Sequence, residues 1–144
     1  MESSIEFPKP KYVTGGCVCE SLTYRIDFPE NHDFEASWTS SNTDTLGLYN
    51  ATPAAERGFC TACGSFLYWR RVKSETDTID VAVGTIDPQF LFGEGADGVE
   101  VPKGGFGVAL AGGTGGHVWC VNEIPGVTDK MEYLHGRGRR WSKE

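Results

Sequence analysis

Gly15-Gly16-Cys17-Val18-Cys19 and Phe59-Cys60-Thr61-Ala62-Cys63-Gly64 are the two stretches that decide how this chain folds. A tight turn puts residues two or three apart on the same side, so each stretch can aim two sulfurs at one point. Gly64, just after Cys63, permits the positive φ that such a turn often uses. Each pair leads into a strand-like run, Leu22-Thr23-Tyr24-Arg25 after the first and Ser65-Phe66-Leu67-Tyr68 after the second. The two turns can therefore meet and close a tetrahedral four-cysteine zinc site, with residues 20–59 clamped as a loop between them. Cys17, Cys19, Cys60 and Cys63 are the candidate ligands of one structural zinc ion. Four protein ligands leave no open position, so such a site stabilises a fold and does not by itself perform chemistry. Other readings of the same cysteines stay open. They are a thioredoxin-like redox pair at Cys60 and Cys63, disulfides, and two unconnected buried pairs. The redox pair would open a helix, whereas Gly64 and a strand-like run follow Cys63.

Outward from the cysteines, the pattern is that of strands. Residues 21–26 alternate Leu22, Tyr24 and Ile26 with Thr23 and Arg25, and residues 78–83 alternate Ile79, Val81 and Val83 with Asp80 and Ala82. Residues 45–49 and the aromatic run 65–72 read as strands, as do residues 106–110 and 117–121. Residues 28–42 are polar, with Phe34 and Trp38 the only large apolar side chains after Phe28. Asp87-Pro88 marks a turn. Residues 128–135 are the one helix candidate, with Thr128 or Asp129 as N-cap and Gly136 beyond its end. The expected fold class is mainly β with little helix. The expected layout is an extended arm over residues 1–14, a zinc-binding domain over 15–135 and a short basic tail over 136–144.

The chain has 144 residues, enough for one domain with a real core. Lys and Arg number 13 against 20 Asp and Glu, a formal net charge of −7, which is a poor match for a phosphate backbone. The expectation is no nucleic-acid partner. No apolar run approaches the ~20 residues of a membrane helix, so no membrane partner is expected either. The start has neither a basic nor an apolar signal segment, so the expected location is intracellular, by default the cytoplasm. In a reducing compartment, five cysteines read as metal ligands or reactive thiols before disulfides. Ten of the nineteen glycines crowd residues 93–116, but no phosphate-loop Gly-Lys-Ser/Thr ending is present.

Together these residues resemble the family of the glutathione-dependent formaldehyde-activating enzyme, which also includes centromere protein V. The resemblance lies in Gly16-Cys17-Val18-Cys19 with the strand Leu22-Thr23-Tyr24-Arg25, and in Arg57-Gly58-Phe59-Cys60-Thr61-Ala62-Cys63-Gly64-Ser65-Phe66-Leu67. It continues in Ile79-Asp80-Val81-Ala82-Val83-Gly84-Thr85-Ile86-Asp87-Pro88 and in His117-Val118-Trp119, and so covers most of the chain. It implies a zinc-clamped, Mss4-like β-sheet domain whose structural zinc is held by the positions of Cys17, Cys19, Cys60 and Cys63. It also implies carbon–sulfur lyase activity, interconverting glutathione and formaldehyde with S-hydroxymethylglutathione. Glutathione would be the co-substrate, and a small thiol-containing metabolite the partner. Enzymes of that family carry a further Cys-x-Cys-x-x-Cys between the two structural pairs, which holds an open catalytic zinc. This chain has no cysteine between Cys19 and Cys60. The resemblance therefore implies an impaired lyase. The polar candidates left in that interval, His32, Asp33, Glu35, Asp44 and Glu56, form no recognisable zinc triad and read as solvated loop residues.

Two alternatives stand beside the lyase. One is a non-catalytic, zinc-stabilised binding module, in which Arg57, Arg70 and Arg71 would meet a glutathione carboxylate or simply carry surface charge. The other is thiol redox chemistry at Cys120. The run His117-Val118-Trp119-Cys120-Val121-Asn122 weakly resembles methionine sulfoxide reductases, although a buried hydrophobic role for Cys120 fits it better. His117 falls where it can line a substrate pocket. His135 suits the dipole at a helix C-terminus.

Overall fold

Alternating inward and outward residues build the first sheet. In β1 (Tyr12–Gly16) Val13 and Gly15 face inward, and in β2 (Thr23–Asp27) Tyr24 and Ile26 do. The two strands pair antiparallel, from Tyr12 opposite Asp27 to Gly16 opposite Thr23. β3 (Ser37–Asn42) completes a three-stranded sheet on the far side of β2, with a bulge at Thr23/Tyr24. The second sheet is an antiparallel meander of four strands in chain order: β4 (Leu46–Thr52), β5 (Ala55–Cys60), β6 (Phe66–Arg71) and β7 (Ile79–Val81). In β5 every second residue is buried, namely Glu56, Gly58 and Cys60. The fold is mainly β, as the periodicity predicts.

The computed structural model describes residues 9–32, 37–73, 78–95, 104–111 and 120–127. Contacts divide the chain into two units, Met1–Gly107 and Val108–Glu144. Both sheets belong to the first. Its core is small: Val13, Leu22, Tyr24, Ile26, Leu67, Tyr68, Ile86 and Leu91, together with the sulfurs of Cys17 and Cys60. The segment after β7 returns to the first sheet, where Ile86 bridges Gly15 and the Asp87 N–H donates to the Thr14 carbonyl at 2.9 Å. The Thr14 hydroxyl in turn donates to the Asp87 carboxylate. Thr85 Oγ1 donates to the Ala82 carbonyl at 2.7 Å, so the buried Tyr24 hydroxyl donates to Thr85 Oγ1, also at 2.7 Å. Burial pushes Tyr24 up to about 12 despite that hydrogen bond, so it stays a neutral donor.

Several elements differ from their sequence reading. β3 was not legible, because its residues Ser-Trp-Thr-Ser-Ser-Asn are polar. It forms at the edge of its sheet, where exposed polar residues such as Thr39 and Asn42 are suitable. Asp87-Pro88 does not merely turn the chain. It opens the short helix α1 (Pro88–Phe92), with Pro88 at the first helical position, where a missing N–H costs nothing. Residues 106–110 are not a strand. Gly107–Ala111 is a helix, α2, because an apolar run of this length has no period and its Ala and Leu favour helix.

In the second unit, Cys120–Asn122 is a 3₁₀ turn and not a strand end. A chain reversal follows at once: the Val127 N–H donates to the Ile124 carbonyl at 3.0 Å across Pro125-Gly126, with Gly126 at φ 80°. That is the Pro-Gly arrangement of a type II turn. The expected arm begins outside the described residues and ends inside β1, whose first residue is Tyr12. The expected helix 128–135, His117, His135 and the basic tail all lie outside the described residues. Among the described residues no helix is long and apolar enough to cross a membrane.

Gly15 is the tightest point between the first sheet and the returning segment. A Cβ there would lie 2.3 Å from the Thr85 carbonyl oxygen and 2.5 Å from the Tyr24 hydroxyl. Because the first of these is backbone, it cannot swing aside. Gly15→Ala is expected to cost at least ~1–3 kcal/mol, the usual range for overpacking. Urea unfolding measures it, and an alanine variant as stable as the parent would remove Gly15 from this role.

Candidate metal centre

Two hairpin ends meet at the cysteines. The turn from β1 to β2 carries Cys17 and Cys19, and the turn from β5 to β6 carries Cys60 and Cys63. All four Sγ atoms lie within 4.8 Å of one another. Cys17 and Cys19 are 3.5 Å apart and Cys19 and Cys60 3.8 Å. A tetrahedral ion with metal–sulfur bonds of about 2.3 Å needs sulfurs ~3.8 Å apart, so the donor set and its spacing fit such an ion. Cys17 and Cys60 are buried, whereas Cys19 and Cys63 are exposed, and all four are free thiols. The sequence reading of these four as one cluster is therefore met in space. Among the described residues they are the only group of three or more metal-ligating side chains.

The two turns are built alike. In the first, the Cys17 N–H donates to the Leu22 carbonyl at 3.0 Å; in the second, the Cys60 N–H donates to the Ser65 carbonyl at 2.9 Å. Each has a left-handed residue directly after its second cysteine, Glu20 at φ 61° and Gly64 at φ 78°. Each then places a serine hydroxyl on that cysteine, Ser21 Oγ at 3.0 Å from Cys19 Sγ and Ser65 Oγ at 3.1 Å from Cys63 Sγ. The turns also interlock, since the Val18 N–H donates to Ser65 Oγ at 3.2 Å. Ser21 and Thr45, whose hydroxyls are 3.0 Å apart, both reach Cys60 Sγ, at 3.5 and 3.6 Å. The Leu22 N–H donates to Cys17 Sγ at 3.3 Å.

These donors favour thiolate. The Ser21 hydroxyl, opposed by burial and aided by Thr45 and the N–H groups of Cys63 and Ala62, brings Cys60 down to about 5. The hydroxyl and N–H of Ser65, with the N–H of Cys19, bring Cys63 down to about 7. Cys19 goes the other way. Ser21 donates to it through both hydroxyl and N–H, yet the neighbouring Cys17 thiol, partial burial and Cys63 outweigh this and raise it. Sulfurs this close cannot all ionise without a cation, and without one Cys19 is held above the usual thiol range.

The other residues picked from the sequence do not converge. His32 is buried, with Nε2 2.9 Å from the Pro10 carbonyl oxygen and its ring stacked on Phe28. Glu56 is buried and takes the Arg70 Nε–H at 2.6 Å. Asp44 is exposed at a turn. Strand register puts Arg57 and Arg71 on one face of the second sheet and Arg70 on the other, so the three cannot grip one carboxylate together. Asp33, Glu35 and His117 lie outside the described residues, as does the side chain of Cys120. Sequence reasoning missed Ser21, Thr45 and Ser65, although a serine two residues after each second cysteine was a readable sign. No protein-family model, curated protein or solved structure matches this chain.

In the metal-free, reduced protein, Cys63 is exposed and half ionised near neutrality, whereas Cys19 is exposed but protonated. Iodoacetamide at pH 7, read by peptide mass mapping, is expected to label Cys63 well ahead of Cys19. The Cys63 rate should fall as pH drops through about 7. Equal labelling of the two would contradict the assignment.

Proposed function

We propose that this chain is a zinc-stabilised β domain that binds without catalysing, with Cys17, Cys19, Cys60 and Cys63 holding one structural zinc ion. One observation carries the reading: two hairpin ends bring four sulfurs within 4.8 Å of one another, two from each turn. A thiolate-only set selects a soft or borderline cation, and zinc is the usual occupant of a four-sulfur tetrahedron. When bound, zinc would hold the two sheets together and supply no Lewis-acid chemistry, because its four positions are filled by the protein. The energy scale fits this role. Structural zinc is worth ~10–16 kcal/mol in small peptides, comparable to the ~5–15 kcal/mol that keeps a whole domain folded.

The carbon–sulfur lyase implied by the resemblance is the second reading. Its chemistry needs a metal with three protein ligands and one exchangeable position, where a glutathione thiol would ionise. The four-sulfur cluster offers no such position, which is why the binding module comes first. Its ligand class, a small thiol-containing metabolite, is taken from the resemblance alone.

Native mass spectrometry before and after acid release is expected to give one zinc per chain. Cys60→Ser, which removes a buried ligand, should abolish zinc retention and the cooperative thermal transition. A strong chelator should do the same to the parent protein. Two zinc ions per chain, with accelerated formation of S-hydroxymethylglutathione by NMR, would reverse the order of the readings. A folded chain with no zinc would discard the metal.

A further inference from the structure

Each hairpin end supplies more than two sulfurs. Four thiolates around a divalent cation keep two units of negative charge, in a site where Cys17 and Cys60 are buried. Such charge is costly unless hydrogen-bond donors surround it. The serine two residues after each second cysteine is placed to supply one. A metal-bound Cys63 thiolate has no hydrogen to give, so at 3.1 Å the Ser65 hydroxyl must donate to Cys63 Sγ, while its oxygen accepts the Val18 N–H at 3.2 Å. Ser21 lies 3.0 Å from Cys19 Sγ, 3.5 Å from Cys60 Sγ and 3.7 Å from Cys17 Sγ, and so caps the face made by three sulfurs. Thr45 Oγ1, 3.0 Å away, can donate to Ser21 and free the serine hydrogen for sulfur.

We propose that Ser21 and Ser65 are positioning residues of the metal centre, each donating its hydroxyl hydrogen to the sulfur of the cysteine two residues before it. This rests on the metal reading above. The left-handed residues between cysteine and serine, Glu20 and Gly64, turn each hydroxyl back onto its sulfur. The two turns share this arrangement although the first pair is spaced Cys-x-Cys and the second Cys-x-x-Cys. The serine is therefore tied to the ligand it serves and not to the spacing of the pair. Losing such a partner typically costs 10–100-fold in metal affinity.

The test uses the full chain loaded with Zn²⁺ or Co²⁺. Zn²⁺ affinity is read by competition with a chromophoric chelator, and the sulfur-to-Co²⁺ charge-transfer band by absorption. Ser21→Ala and Ser65→Ala are each expected to weaken Zn²⁺ by ~10–100-fold. They should also move the Co²⁺ band to lower energy, because a sulfur without its donor holds its electrons less tightly. Ser21→Thr, which keeps the hydroxyl, should retain affinity and band position. A residue that merely fills space would leave the band where it is. Wild-type affinity and band in both alanine variants would overturn the proposal and leave the metal reading standing. So would a threonine variant as impaired as the alanine. A parent chain that takes up neither ion overturns the metal reading and this proposal with it.

Discussion

Four sulfur atoms from two hairpin ends share one small volume, where the turn of the first sheet meets the turn of the second. Two of the sulfurs, those of Cys17 and Cys60, belong to the buried set themselves, beside Leu22 and Leu67. Core and cluster are thus one packing unit, and a core this modest leaves little margin. Around the sulfurs lie the Leu22 N–H, which donates to Cys17, and the hydroxyls of Ser21 and Ser65 within 3.0 and 3.1 Å of Cys19 and Cys63. Backbone oriented in this way is prepared for negative charge, which in turn calls for a cation to balance it. Cys19 marks the point where the balance fails without one: its own donors favour thiolate, but its neighbours keep it protonated.

The likeness of the two turns explains why the spacings can differ. The second pair has one more residue between its cysteines, yet both turns close with the same backbone bond from the first cysteine to the residue five ahead. The extra residue is taken up after the second cysteine: the closing bond lands on Leu22, one past Ser21, in the first turn and on Ser65 itself in the second, while the left-handed residue and the serine keep their places behind the second cysteine. Gly64 takes its positive φ without strain. Glu20 takes the same conformation at a cost of roughly 1–2 kcal/mol for a residue with a Cβ. The chain bears that cost where the reward is a hydrogen-bonded sulfur, and strain kept at a binding site is a common pattern.

What was legible in the sequence was what depends on period and spacing. β2, β6 and β7 announce themselves through alternation at Tyr24 and Ile26, the aromatic run from Phe66, and Ile79 with Val81. The cysteine spacing named the cluster. What was not legible depends on partners distant in the chain. β3 is polar and becomes a strand only because β2 offers it an edge. The helix over Gly107–Ala111 was hidden in an apolar run too short to show a period. Ser21 reads as an ordinary strand-entry serine until Thr45, from the connection between β3 and β4, appears beside it. The separation of Arg70 from Arg57 and Arg71 follows from register, which pairs Glu56 with Arg70 and cannot be read from one strand alone.

A fold of this kind can carry either an enzyme or a binding module, so the choice rests on what lies between the two cysteine pairs. Thiol activation needs a metal that can exchange a ligand, hence a second set of donors distinct from the clamp. The interval from β2 to β3 has no cysteine to offer. Its imidazole, His32, already serves the fold: it is stacked on Phe28 and engaged with the Pro10 carbonyl, so that ring holds the start of β1 against the end of β2. Glu56, the buried carboxylate further on, is committed to Arg70. Polar groups buried and satisfied in this way resist recruitment, because taking either one as a ligand leaves its partner, a carbonyl or a guanidinium, without its hydrogen bond. Among the described residues, the imidazole and the buried carboxylate nearest the cluster's interval are thus ones the fold has already used.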